Sequence, residues 1–290
     1  MSSAEVTEVK AVNIPASIAL LAPVRNAASR RLARELAHAF AERGIALHDI
    51  SPNEWEQGGD DLPEVLLCLG GDGTMLSAAE LSARRGIILG GINMGHLGFL
   101  SACGRGEVHD LVEALASGTY EVHRRTMLEV HACNEAGCKG GNLALNEIAL
   151  MRYQTGKMID VDVEVDGCLL NRYHADGMLV STPTGSTAYS LSAGGPLVWP
   201  SAGVVCLTPV CPHSLTNRSV VLPDSVELTL RPKERRGRAE QSLIYSLDGR
   251  STHPIALDES LKIRKAAESL PLLALPQSDY AARLRVKLGW

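Results

Sequence analysis

Apolar residues fall into short, dense blocks over the first part of the chain. Residues 17–22 (SIALLA), 64–69 (EVLLCL) and 87–90 (IILG) are each too short for a helix and nearly free of polar positions, the pattern of buried strands. Between them the period changes. Residues 26–43 are rich in Ala, Leu, Arg and Glu with apolar positions at helical spacing, and Gly44 stands just past the end as a C′ residue. Residues 74–84 and 107–117 read as further helices and 45–50 as a second strand. The Pro/Gly/Asp-rich stretch 51–63 and the glycine-punctuated stretch 91–98 read as loops. Strand and helix alternate, which predicts a parallel α/β sheet.

Beyond about residue 120 the helical period is mostly absent. Residues 121–132, 143–150, 159–166, 219–230, 242–248 and 260–265 are short, often alternating, and rich in Val, Leu and Ile. From Ile159, IDVDVEVDG alternates with period two and ends in a turn, as a strand does. The expected organisation is a flexible tail over 1–16, an α/β domain over 17–121 and a β-rich domain over 122–270. Residues 271–290 are expected to pack back on the first domain.

Composition narrows the class. A length of 290 residues suits one large or two modest domains, and 45% hydrophobic with 21% charged residues excludes wholesale disorder. A net charge of −5 and a pI near 6.0 argue against a nucleic-acid-binding face. The one dense basic run, RPKERRGR over 231–238, reads as a solvated hairpin tip or loop rather than a docking patch. No apolar run approaches the ~18–20 residues that span a bilayer. The opening MSSAEVTEVKAVN lacks the hydrophobic region of a secretory signal. Seven cysteines form an odd set, so reduced thiols in a cytoplasm are expected rather than a disulfide framework. Cys133/Cys138 and Cys206/Cys211 have C-x4-C spacing without a matching zinc partner, and they read as thiols.

Glycine placement points to chemistry. Ten of the 27 glycines fall between Gly70 and Gly106, where a uniform spread would put about three or four. Gly70-Gly71-Asp72-Gly73-Thr74 follows a buried strand and opens a helix. Backbone N–H groups and a helix N-terminus make an anion site there. A carboxylate in such a cradle repels phosphate unless it binds a metal or takes a proton. Phosphoryl transfer to a hydroxyl, with Asp72 as base or metal partner, fits that combination. A plain Gly-Asp turn with Asp72 as N-cap is the alternative.

Other motifs add recognition surfaces. NMGHLGFL, residues 93–100, brings two glycines to a strand end, where α/β sheets bind ligands; His96 in it reads as a polar surface residue. Asn146-Glu147 is a polar pair in an apolar strand, suited to an adenine or ribose and equally to a strand-edge hydrogen bond. Residues 176–196 hold eight Ser, Thr and Tyr hydroxyls, Thr184 among them, and four glycines, which suit ribose and phosphate. There is no Walker loop, dinucleotide fingerprint, kinase catalytic loop or nucleophile elbow.

Taken in order, GGDGTML, NMGHLGFL, LNEI, ADGMLVSTPTGSTAYSLSAGGPLVWP and TPVCPHSLTNRSVVLP resemble the successive motifs of the NAD kinase family. The resemblance runs from about residue 17 to the KLGW at 287–290. GGDGT alone is shared with phosphofructokinases and lipid kinases; TPTGSTAYSLSAGGP is far more specific. The resemblance implies a Rossmann-like α/β N-terminal domain and a β-sandwich C-terminal domain, the NAD kinase/diacylglycerol kinase-like fold, with the site in the crevice between them. It implies transfer of the γ-phosphoryl of ATP, with Mg²⁺, to the 2′-hydroxyl of the adenosine ribose of NAD. The partners implied are NAD, ATP and copies of the same chain in a homodimer or homotetramer, with neither nucleic acid nor membrane.

Residue by residue, Asp72 matches the family's proton acceptor and Gly73 the adjacent binding position, with Gly70, Gly71 and Thr74 completing the phosphate loop. Asn146 and Glu147 match the pair that holds the NAD adenosine, and Asp176 a nicotinamide-side contact. Thr187, Ala188, Tyr189, Ser190, Leu191 and Ser192 match the run that lines adenine and ribose. Lys157 stands where relatives often have His, His174 at a variable position tied to the choice between NAD and NADH, and Arg250 where many have Gln. Metal ligands are not identified. The alternatives are a lipid kinase of the GGDGT type and a non-catalytic NAD(H)-binding sensor.

Overall fold

The computed structural model describes residues 13–22, 27–59, 62–95, 98–153, 158–214, 216–233 and 243–290. The chain divides into two compact units. The first holds the chain up to Arg124 together with Ser269–Trp290, and the second holds Arg125–Glu268.

In the first unit the elements run β1 (Ile18–Leu21), α1 (Ala27–Ala41), β2 (Leu47–Ile50), α2 (Pro52–Gln57), β3 (Val65–Leu69), α3 (Asp72–Arg85), β4 (Ile88–Asn93), β5 (Cys103–Gly104) and α4 (Val108–Ser117). The strands pair in the order β2-β1-β3-β4-β5, all parallel. β1 and β3 are buried throughout, as uninterrupted apolar runs require. Leu32, Leu36 and Phe40 of α1 and Leu111 and Leu115 of α4 share one core with Ile18, Leu20, Val65 and Leu67.

Residues 51–63 are not wholly loop, because they contain α2. Ser51 Oγ accepts the Glu54 amide at 3.3 Å, while the Glu54 carboxylate accepts the Ser51 amide at 2.7 Å, a reciprocal capping box with Pro at the helix start. Trp55 anchors that turn in the core. The loop expected from Gly91 likewise begins later, since β4 continues to Asn93. Glycine does not end a strand whose face must lie flat against its neighbours: a Cβ on Gly91 would stand 2.8 Å from Met75 Sδ and 3.0 Å from Ser101 Cα.

In the second unit the elements are β6 (Glu121–Asn134, entering from the first), β7 (Gly137–Ala144), β8 (Glu147–Arg152), β9 (Ile159–Val165), β10 (Cys168–Ala175), β11 (Gly177–Ser181), α5 (Tyr189–Ser192), β12 (Val204–Val210), β13 (Val220–Pro223), β14 (Leu228–Lys233), β15 (Leu243–Leu247), β16 (Ser251–Ile255) and β17 (Ser260–Ala274, leaving for the first). An antiparallel sheet runs β13-β12-β11-β8-β15-β16. Facing it are β10-β9-β14-β17 and the β6–β7 hairpin. Ile148, Leu150, Met178, Val180 and Leu207 from one sheet and Val161, Val163, Leu230, Leu261 and Ile263 from the other form a single core, which makes a β-sandwich. In the first unit α6 (Tyr280–Leu288) ends the chain's regular structure.

Residues 143–150 and 219–230, each read as one strand, are two strands apiece, broken at Leu145–Asn146 and at Asp224–Glu227. The cysteines also differ from expectation. Cys133 and Cys138 are disulfide-bonded, because the β6–β7 register sets them directly opposite one another; the other five are free thiols. Of the basic run, Arg231–Lys233 belong to β14, and residues 234–238 lie outside the described residues.

Candidate active site

The first group of candidate residues sits where β3 gives way to α3. Gly70 is held inside the sheet end, its amide donating to Ile92 O at 3.1 Å, and Thr74 N donates to Gly71 O at 3.0 Å. A Cβ on Gly70 would stand 2.2 Å from Thr74 Oγ1, so this glycine is required by its protein neighbour. Gly71 and Gly73 are different. Both are exposed, and a Cβ on either would meet nothing within 4 Å. The fold does not demand glycine at either position: Gly71 is the N-cap, where glycine is well tolerated, while Gly73 lies in the first turn, where glycine costs up to roughly 1 kcal/mol relative to Ala. The bare backbone leaves room for a ligand to approach closely. Thr74 and Met75 donate to the N-cap carbonyl of Gly71, and the positive end of the α3 dipole faces the same space.

Asp72 opens α3 and is half-buried. Its Oδ2 accepts the Phe99 amide at 2.9 Å and its Oδ1 the Leu100 amide at 3.1 Å. Each carboxylate oxygen has two lone pairs, so one remains open on each. Gly98 permits this clasp, because a Cβ there would stand 2.0 Å from Asp72 Oδ1. The NMGHLGFL segment therefore aims the carboxylate rather than adding a second loop of its own. His96 lies outside the described residues. Asn93 turns the strand end by accepting Gly95 N at 2.8 Å.

The second group is in the sandwich. Asn146 stands in a bend just before β8, which Glu147 opens, and another residue holds that bend. Asp248, in the turn after β15 and at φ +51°, accepts the amides of Leu145 (2.9 Å), Asn146 (2.7 Å) and Glu147 (3.1 Å). From the other side Thr182 Oγ1 donates to Leu145 O at 2.5 Å and its amide to Asn146 O at 2.9 Å. Gly185 closes on the same bend so tightly that a Cβ would stand 2.0 Å from Asn146 O.

This clamp exposes Asn146 partly and buries Glu147. Burial, then the neighbouring Asp248 charge, pushes the Glu147 carboxyl up to about 7, against a stabilising amide from Tyr189. Burial also raises Asp248, opposed by its three amide donors and Arg250. Glu147 Oε2 and Thr184 Oγ1 are buried without a hydrogen-bond partner. An unpartnered buried polar atom costs ~1–3 kcal/mol, and two so close to one bend suit a ligand rich in hydroxyls.

The remaining predicted residues divide by exposure. Tyr189 and Ser192 are exposed, Thr187, Ala188 and Leu191 half-buried, and Ser190 is buried with its hydroxyl 3.3 Å from Thr208 Oγ1. Thr187 Oγ1 donates to Thr184 O at 3.2 Å. Asp176 is paired with Arg152 at 2.9 Å, and His174 Nδ1 lies 2.6 Å from Asp160 Oδ1. Arg250 is exposed on the Asp248 turn, and Lys157 lies outside the described residues. Sequence reasoning missed Asp248, Arg152 and Thr182. Asp248-Gly249 was the one available signal, a turn dipeptide after an alternating strand.

Residues 24–120 match the ATP-NAD kinase N-terminal domain and residues 145–275 the ATP-NAD kinase C-terminal domain. The chain is 34% identical over 280 residues to an NAD kinase of Solibacter usitatus, covering 93% of this chain and 96% of that protein. It is 39% identical over 241 residues to an NAD kinase of Gemmatimonas aurantiaca, covering 82% and 81%. Among solved structures, yeast NADH kinase complexed with NADH superposes with a TM-score of 0.84 at 21% identity, over 98% of this chain and 92% of that one. An NAD kinase from Archaeoglobus fulgidus in complex with ATP gives 0.75 at 24% identity, over 94% and 98%. At those identities the two structures share the fold.

Proposed function

The chain belongs to the NAD kinase family, and we infer that it transfers the γ-phosphoryl of ATP to the 2′-hydroxyl of the adenosine ribose of NAD, giving NADP and ADP. The observation that carries this reading is the match of both family domains, in order, on one chain. Neither a lipid kinase nor a non-catalytic sensor has support among the relatives.

A ribose hydroxyl is a weak acid and a poor nucleophile. Asp72 accepts its proton as the oxygen attacks the γ-phosphorus, through a lone pair that Phe99 and Leu100 leave open. The bond to the β–γ bridging oxygen breaks, and ADP leaves with that electron pair. The exposed Gly71 and Gly73 backbone at the start of α3 receives the phosphates. Asn146, Glu147 and Thr184 hold the adenosine of NAD, with Glu147 Oε2 and Thr184 Oγ1 meeting its hydroxyls. Tyr189 offers the exposed ring of the 187–192 run, and Asp176 and His174 the contacts on the nicotinamide side. Positioning carries most of such a transfer.

Mg²⁺ neutralises triphosphate charge when bound. Among the described residues no three His, Cys, Asp or Glu side chains gather to hold a metal ion. Mg²⁺ keeps waters and binds substrate phosphates with one or two carboxylates, so a loop with the single carboxylate Asp72 fits it without a protein cage. The enzyme works in the cytoplasm as a homodimer or homotetramer.

The test is the purified chain with ATP and Mg²⁺, offered NAD, NADH or diacylglycerol in parallel. NADP formation from NAD is expected. Phosphorylation of the lipid, or of none of the three, overturns the reading.

A further inference from the structure

We propose that Arg283, on α6, is a positioning residue for Asp72, acting through the peptide that joins Phe99 to Leu100. This rests on the reading of Asp72 as the proton acceptor. Arg283 Nη1 donates to Phe99 O at 3.3 Å and to Ser101 O at 2.5 Å, and its Nη2 to Ala102 O at 3.5 Å and Ser278 Oγ at 3.2 Å. The guanidinium thus grips three carbonyls of the segment whose amides hold Asp72.

One peptide plane carries the coupling. The Phe99 carbonyl and the Leu100 amide belong to the same planar unit. Its oxygen faces the Arg283 cation and its N–H faces Asp72 Oδ1 at 3.1 Å. A cation at one end and a carboxylate at the other polarise that peptide in the same sense and oppose its rotation. Without the guanidinium the plane is free to turn, which would replace a donor beside Asp72 with a carbonyl oxygen.

The rest of the segment is pinned independently. Ala102 N donates to Gly91 O at 2.8 Å, and Asn93 Nδ2 lies 3.4 Å from Ser101 Oγ. The Phe99 ring meets Tyr280 of α6 with centroids 6.2 Å apart. Loss of Arg283 therefore loosens the 99–100 peptide while the strand end stays in place. A lysine does not substitute, since one ammonium lacks the planar fork that spans these carbonyls.

The experiment compares the native enzyme with Arg283→Ala and Arg283→Lys. In Arg283→Ala, kcat should fall by about 10–100-fold while KM for NAD stays within about threefold, the sign of a misaimed catalytic group. Arg283→Lys, the safer variant for folding, should lose at least about tenfold. Combined with Asp72→Asn, Arg283→Ala should add little to the loss, because both act through one clasp. Amide exchange at Leu100, which needs no activity, should speed up in Arg283→Ala. A kcat within about twofold of native in either variant, fully multiplicative losses, or unchanged Leu100 exchange overturns the proposal. If the native chain makes no NADP, the proposed function fails, and the exchange measurement still decides whether Arg283 holds the peptide.

Discussion

At the scale of single residues, the carboxylates divide the labour. Asp72 is half-buried and held by two amides, which leaves it acceptor-only and open to a hydroxyl. Glu147 is buried with an unpartnered oxygen and is pushed up to about 7. A raised carboxyl stabilises the fold below its unfolded value near 4.5, and that stabilisation is lost as pH rises through about 7. Without ligand, Glu147→Gln should therefore melt close to native at pH ~4 and above native at pH ~8, by up to about 3 kcal/mol. Thermal melts across that range check this, and equal pH slopes for the two proteins would remove the perturbed group from Glu147. Asn146→Ala and Glu147→Ala should each raise KM for NAD more than they lower kcat. An unchanged KM in both would displace the adenosine from this bend.

At the scale of elements, the apolar blocks and helical periods were legible because each buries one simple face. β1, β3, α1, α3 and α4 follow from pattern alone. What escaped was set by contacts distant in sequence. Residues 143–150 look like one strand, yet Asp248, about a hundred positions away, takes three amides and breaks it at Leu145–Asn146. α2 was legible in principle, since Ser51-Pro52-Asn53-Glu54 spells a capping box, but Pro, Gly and Asp around it masked the signal. Ser51→Ala should cost about 0.5–2 kcal/mol by denaturant titration without changing kcat. Gly185→Ala, which must push Asn146 O away from 2.0 Å, should impair NAD binding far more than its single methyl suggests. The glycine cluster also proved mixed: Gly70, Gly91 and Gly98 make room for protein atoms, while Gly71 and Gly73 face open space.

At the scale of the whole molecule, the α/β unit carries the Gly70–Thr74 loop with Asp72, and the β-sandwich carries the bend at Asn146 with its unpartnered oxygens. The net charge of −5 does not oppose a nucleotide ligand, because the helix N-terminus and a phosphate-borne cation act locally. The scarcity of aromatics, 4% of residues, fits recognition by backbone, hydroxyls and carboxylates, with Tyr189 as the exposed ring of its segment. No helix among the described residues is long and apolar enough to cross a membrane.

The central claim is that Asp72 accepts the ribose proton. Asp72→Asn removes the base and also disturbs the Phe99–Leu100 clasp, since the amide NH₂ would face an N–H donor. Arg283→Ala disturbs the clasp and keeps the carboxylate, so the pair separates the two effects. The decisive measurement is the single-turnover rate of phosphoryl transfer from MgATP to saturating NAD in native, Arg283→Ala and Asp72→Asn proteins. The predicted result is a loss of at least ~10²–10⁴-fold in Asp72→Asn, clearly beyond that of Arg283→Ala, with NAD affinity within several-fold of native. A near-native rate in Asp72→Asn, or a loss no greater than that of Arg283→Ala, would contradict it.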